Sequence, residues 1–145
     1  MKPLYYIING PNLNMLGIRE PEHYGKESYD TLVKMLNERA EKLGIELVIF
    51  QSNHEGDLVD KIQEAYYNGA SGIVINPAAY THTSIAILDA IKSTAIPTIE
   101  VHISKVEDRE DFRQVSYVRQ AAIATITGRG LNGYLEALDI LTDKQ

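Results

Sequence analysis

Short apolar runs alternate along this chain with stretches in which apolar residues recur every three or four positions. The run Leu4 to Ile8 predicts a first strand, Ile45 to Phe50 a second and Gly72 to Ile75 a third. Pro97 to Ile103 predicts a fourth strand and Ala121 to Ile126 a fifth. From about Ser28 to Leu43, the positions Tyr29, Leu32, Leu36, Ala40 and Leu43 share one helical face, and Gly44 is a natural stop. Leu58, Ile62, Ala65 and Tyr66 mark a second helix closing near Gly69, and Ile85, Leu88 and Ile91 mark a third. Leu131, Leu135, Leu138 and Leu141 give a terminal helix.

Strands that are apolar on both faces and alternate with helices predict a parallel sheet covered on both sides. With right-handed crossovers, five such units fit an α/β, flavodoxin-like fold of strand order 2-1-3-4-5. The chain shows no repeat, low-complexity segment or long linker, so residues 1–145 are expected to form a single catalytic domain.

Composition narrows the functional classes. The 145 residues are 44% hydrophobic and 23% charged, as in ordinary globular proteins. No apolar run approaches the roughly 20 residues that span a bilayer. Residues Met1 to Asn9 turn polar too soon for a secretory signal. Cysteine is absent, which excludes disulfides and thiolate metal sites and fits a reducing cytoplasm, the expected location. A net charge of -6 argues against a nucleic-acid or anionic-membrane partner, but not against a small anionic substrate held in a local cationic pocket.

In an open parallel sheet, ligands bind beyond the carboxyl ends of the strands. Three polar segments fall there: Asn9-Gly10-Pro11-Asn12-Leu13-Asn14, Asn76-Pro77-Ala78-Ala79-Tyr80-Thr81-His82-Thr83-Ser84 and Glu100-Val101-His102-Ile103-Ser104. In the order 2-1-3-4-5 they converge on one pocket. Each has a bland alternative. Asn12 suits a turn, and Thr81 to Ser84 suit a helix cap. Glu100 and His102, two apart on a strand, share a face and could form a structural hydrogen bond. They are also metal-ligating types, but no third ligand stands at a supporting spacing. A separate segment, Gly17-Ile18-Arg19-Glu20-Pro21-Glu22-His23-Tyr24-Gly25, reads either as a surface loop or as a lid carrying an arginine and a tyrosine. A guanidinium beside a phenol favours phenolate, which would make Tyr24 a general base.

The ordered motifs resemble the type II 3-dehydroquinate dehydratases. Asn9 to Gly17, Arg19-Glu20-Pro21 and Tyr24-Gly25 match the N-terminal signature. Gln51-Ser52-Asn53-His54-Glu55-Gly56, the segments Asn76 to Ser84 and Glu100 to Ser104, Phe112-Arg113 and Ser116-Tyr117 continue it over nearly the whole chain. The resemblance implies a lyase of the shikimate pathway that converts 3-dehydroquinate to 3-dehydroshikimate by anti elimination through an enolate, without metal or organic cofactor. It also implies a homododecamer built as a tetramer of trimers. By resemblance, Tyr24 is the base, Arg19 its support, His102 the acid and Glu100 the carboxylate that orients it. Asn12 helps hold a water facing the enolate oxygen. Asn76, His82, Ile103, Ser104 and Arg113 bind substrate, and Asp89 is contributed from a neighbouring subunit.

Two residues depart from the family's pattern. Val115 stands where many members have a histidine, which bears on the packing of Arg113, and Arg129 stands where an apolar residue is usual, which bears on subunit contacts. The alternative from another class is a non-enzymatic flavodoxin-like binding or assembly module. Asn-Gly-Pro-Asn after the first strand suits neither an acidic phospho-acceptor site nor a Ser/Thr-rich flavin phosphate loop.

Overall fold

A computed structural model of the chain describes residues 1–18 and 27–143. Five strands, β1 (Leu4–Asn9), β2 (Glu46–Gln51), β3 (Gly72–Asn76), β4 (Thr98–His102) and β5 (Ala124–Thr127), form one sheet in the order β2-β1-β3-β4-β5. Every neighbouring pair is parallel. The helices are α1 (Tyr29–Leu43), α2 (Glu55–Tyr67), α3 (Ile85–Thr94) and α4 (Asn132–Thr142).

The alternation of side chains along a strand builds two cores. Tyr5 and Ile7 of β1 point to one face, where they meet Leu32 and Leu36 of α1 and Tyr134 and Leu138 of α4. Tyr6 and Ile8 point to the other, against Leu58 and Ile62 of α2 and Ile87 and Ile91 of α3. The inner strands β3 and β4 are buried along their whole length, as a sheet covered on both sides requires. Helix ends follow local chemistry. Ser28 caps α1 by accepting from the Thr31 N–H at 3.1 Å, and Ser84 caps α3 by accepting from the Ile87 N–H at 2.9 Å. Gly44 ends α1 in the left-handed conformation, φ 68°.

The flavodoxin-like order expected from the alternation is the observed one. Strand limits differ at the fifth position. Residues Val118–Gln120 form a 3-10 turn, and Ala121 donates back to Val118 at 3.0 Å instead of joining a ladder. Ala121 is apolar because it packs on the core beneath α2 and α3. Two residues assigned to buried helical faces lie outside. Tyr66 is 56% exposed and sets its ring edge-on to Tyr67, and Ile85 is 55% exposed at the start of α3. The inward stripe of α2 is Leu58, Ile62 and Ala65. Among the described residues, no helix is long and apolar enough to cross a membrane.

Leu36 is fully buried between α1 and the sheet. Leu36→Ala is expected to cost about 2–5 kcal/mol, whereas Tyr66→Ser should change stability by only about 0.5 kcal/mol. Urea denaturation of the two variants checks the contrast.

Candidate active site

The loops after β1, β3 and β4 meet at the carboxyl edge of the sheet and enclose a cleft of about 430 Å³. Its walls carry Asn12, Asn76, His82, His102, Ile103, Ser104, Arg109 and Arg113, with Pro11, Leu13, Leu16 and Val106 as apolar surface. A larger depression, about 630 Å³, lies at the opposite end around Pro3, Leu43 and Ile140. Its lining includes Asp139 and Asp143 but no histidine or arginine, and the rule for open parallel sheets favours the carboxyl edge.

The first wall is set by close backbone approach. Asn9 of β1 pairs with Asn76 of β3, and the next N–H, from Gly10, donates to the Asn76 carbonyl at 2.8 Å. A Cβ on Gly10 would stand 2.4 Å from the Pro77 carbonyl oxygen, so only glycine allows the two loops to touch. Asn12 then takes the left-handed conformation, φ 70°, and its N–H donates to the Asn53 side chain at 2.9 Å. Asn12 is thus also the turn former that its residue type suggests, and its side chain borders the cleft.

His82 follows in a 3-10 turn, Ala78–His82. Its Nδ1 lies 2.7 Å from the Val115 carbonyl oxygen. A carbonyl can only accept, so Nδ1 carries the proton and Nε2 is left for a ligand. The contact uses the main chain of Val115, whose side chain is exposed. A valine here therefore keeps the orienting bond to His82.

Glu100 and His102 do share a face, and His102 Nε2 hydrogen-bonds a Glu100 carboxylate oxygen. Glu100 has no solvent exposure. Ser116 Oγ lies 3.1 and 3.0 Å from its two oxygens, and Arg119 Nη2 and Thr125 Oγ1 each approach at 3.5 Å. Burial pushes the carboxyl's pKa up. The hydrogen bond and charge of His102, then Arg119 and Ser116, outweigh it and hold the group below its ordinary range. Glu100 is therefore ionised at neutral pH and His102 Nε2 is the donor, leaving Nδ1 for a reactant. Among the described residues no three acidic or histidine side chains gather as metal ligands.

The cationic part of the cleft comes from the segment after β4. Arg113 Nε pairs with Glu110 at 3.2 Å, and Arg109 Nη1 reaches Ser104 Oγ at 3.3 Å. The carbonyls of Ile103 and Ser104 accept from Gly130 and Gly128, each at 3.1 Å. Their own N–H groups have no main-chain acceptor among the described residues. Arg129, between those glycines, is exposed and pairs with Glu136 at 2.9 Å. Asp89 lies exposed on α3, outside the cleft of its own chain. Arg19 and Tyr24 fall outside the described residues.

The structure thus brings together Asn12, Asn76, His82, Glu100, His102, Ile103, Ser104 and Arg113. The sequence reading missed Arg109, Ser116, Arg119 and Thr125. For Ser116 the one signal is its place in the Ser116-Tyr117 motif.

A doubly wound sheet with an acid–base pair at the floor of a polar strand-end cleft defines a flavodoxin-like α/β enzyme. The family model described as dehydroquinase class II matches residues 3–142. The 3-dehydroquinate dehydratase of Lachnospira eligens is 53% identical over 138 residues, 94% of each chain. That of Lachnoclostridium phytofermentans is 55% identical over 135 residues, 93% of each chain. The crystal structure of the type II dehydroquinase from Butyrivibrio crossotus superimposes with a TM-score of 0.93 at 54% identity, covering 97% of both chains. The chain belongs to the class II dehydroquinase family.

Because the folded-state pKa of Glu100 lies below its ordinary value of 4.5, its ionisation contributes stability above the unfolded carboxylate range. That contribution is lost as pH falls through the folded value. Glu100→Gln should therefore be less stable than the wild type at pH 7, and its stability should fall less steeply between pH 5 and lower values (roughly the carboxylate window). Denaturation midpoints measured across this window check both points, and an unchanged acid slope would remove Glu100 from this role.

Proposed function

We propose that the chain acts as a type II 3-dehydroquinate dehydratase, converting 3-dehydroquinate to 3-dehydroshikimate in the shikimate pathway by anti elimination through an enolate. The observation that carries this reading is the buried Glu100–His102 pair, held at the end of β4 where His102 borders the cleft. Family membership supplies the substrate.

The steps balance without a redox change. Tyr24, as phenolate supported by Arg19, takes a proton from the carbon next to the ketone. The electron pair moves onto the ketone oxygen, and Asn12 with a water meets the developing charge. The enolate then expels the hydroxyl at the β-carbon while His102, doubly protonated with its Nε2–H on Glu100, delivers its Nδ1 proton, so one water leaves; the proton taken by Tyr24 returns to His102 through solvent. Glu100 keeps the imidazole oriented and offsets its charge. The N–H groups of Ile103 and Ser104, with the Ser104 hydroxyl, suit the substrate carboxylate. His82, Asn76 and Arg113 hold the ring hydroxyls and carboxylate from the other walls.

Asp89, outside its own chain's cleft, serves the cleft of a neighbouring copy in this proposal. The assembly is a homododecamer, a tetramer of trimers. The enzyme works without metal or organic cofactor in the cytoplasm, as a single catalytic domain over residues 1–145.

Adding 3-dehydroquinate to the protein should raise ultraviolet absorbance as the conjugated enone carboxylate forms, and a folded protein that gives no rise would sink the reaction. Tyr24→Phe should lower kcat by about 10²–10⁴-fold while substrate binding is largely kept. Turnover close to wild type would remove Tyr24 from its role. Light scattering on the eluted protein should give the mass of twelve chains, and a monomeric mass would remove both the assembly and the role of Asp89.

A further inference from the structure

Tyr134 of α4 is fully buried and lies outside the cleft lining, yet its hydroxyl joins two side chains at the ends of adjacent strands. It stands 2.6 Å from Asn9 Oδ1 and 2.9 Å from Asn76 Nδ2. A phenol has one proton to give, and the Asn9 oxygen can only accept. The proton therefore goes to Asn9, and the phenol oxygen accepts from Asn76. At the other end of the Asn76 amide, Oδ1 accepts from the Ala78 N–H at 3.1 Å. A main-chain N–H can only donate, so the Ala78 contact fixes which end of this amide is the oxygen and turns its nitrogen to Tyr134.

Asn76 has one N–H on Tyr134 and its oxygen on Ala78, and it is only 3% exposed. The remaining N–H is the polar group it can offer to the cleft it lines. We infer that Tyr134 is a positioning residue for substrate binding: by accepting from Asn76, its hydroxyl locks the carboxamide so that a single donor, never the carbonyl oxygen, faces the substrate. The inference rests on the dehydratase reading and deepens it. It assigns Asn76 to recognition of an acceptor, either a hydroxyl lone pair or a carboxylate oxygen. It also explains a polar string inside an otherwise apolar core. Burial drives the Tyr134 pKa far up, so the phenol stays protonated at every pH at which the protein functions. The lock is thus insensitive to pH.

Tyr134→Phe keeps the ring and its packing and removes only the hydroxyl. KM for 3-dehydroquinate should rise about five- to tenfold, the size expected for one oriented hydrogen bond, with a smaller change in kcat. Combined with Asn76→Ala, the two effects on KM should not add, because one acts through the other. An unchanged KM in a variant with a cooperative thermal transition, or additive effects, would overturn the assignment. A role in stability alone would lower the melting temperature and leave KM in place. A second measurement needs no substitution. In the ¹⁵N–¹H spectrum of the wild type, one of the two Asn76 carboxamide protons should be protected from solvent exchange. Rapid exchange of both would equally overturn the lock. Absence of turnover in the wild type would instead strike the dehydratase reading itself, so the two failures are distinguishable.

Discussion

The site depends on one close approach. The ladder between β1 and β3 does not stop at its last pair: the Gly10 N–H extends it by donating to the Asn76 carbonyl, and Gly10 presses on the carbonyl of Pro77. Any side chain at residue 10 would push the two loops apart. With them in contact, Asn12 and Asn76 stand on adjacent walls of one cleft. The end of β2 and the loop after it brace the arrangement from outside. Gln51 Nε2 donates to the Gly10 carbonyl at 3.1 Å, and the Tyr80 hydroxyl donates to the Asn53 carbonyl at 2.9 Å. Three strand ends are thus tied by a few polar bonds whose positions follow from the parallel register.

Electrostatics follows from the same register. A carboxylate at the floor of an enclosed sheet would ordinarily be neutralised by protonation. Glu100 remains ionised because His102 on its own strand, and Arg119 and Ser116 after the cleft loop, hold its charged form. This arrangement lets an acidic chain of net charge -6 carry a cleft suited to an anion. Negative charge at the floor is spent on a histidine, while Arg109 and Arg113 stand at the rim.

Much of this was legible in the chain because parallel α/β folds write their order in alternation and their sites at strand ends. The convergence of Asn12, Asn76, His82 and His102 followed from the order 2-1-3-4-5 alone. What was not legible depended on segments that meet only after folding. Ser116, Arg119 and Thr125 reach Glu100 from 16, 19 and 25 positions away, respectively, and nothing in their spacing announces a shared partner. Tyr134 is 125 positions from Asn9, and in sequence it reads as one more large residue on a helix. The fifth strand was extended too far because alanines that face a helix layer and alanines in a strand look alike. Tyr66 was placed inside because helical periodicity assigns a face but cannot say how wide the buried stripe is.

The described residues on either side of positions 19–26 are Ile18 and Glu27. Those two points are close together. Gly17 has φ 84°, and a Cβ there would stand 2.6 Å from the Glu27 carbonyl oxygen. Glu27 in turn sets its carboxylate against Gly130, in the loop whose glycines hold the carbonyls of Ile103 and Ser104. The described residues that flank positions 19–26 therefore meet beside the cleft, near Leu16 of one wall and the loop that holds the carbonyls of Ile103 and Ser104.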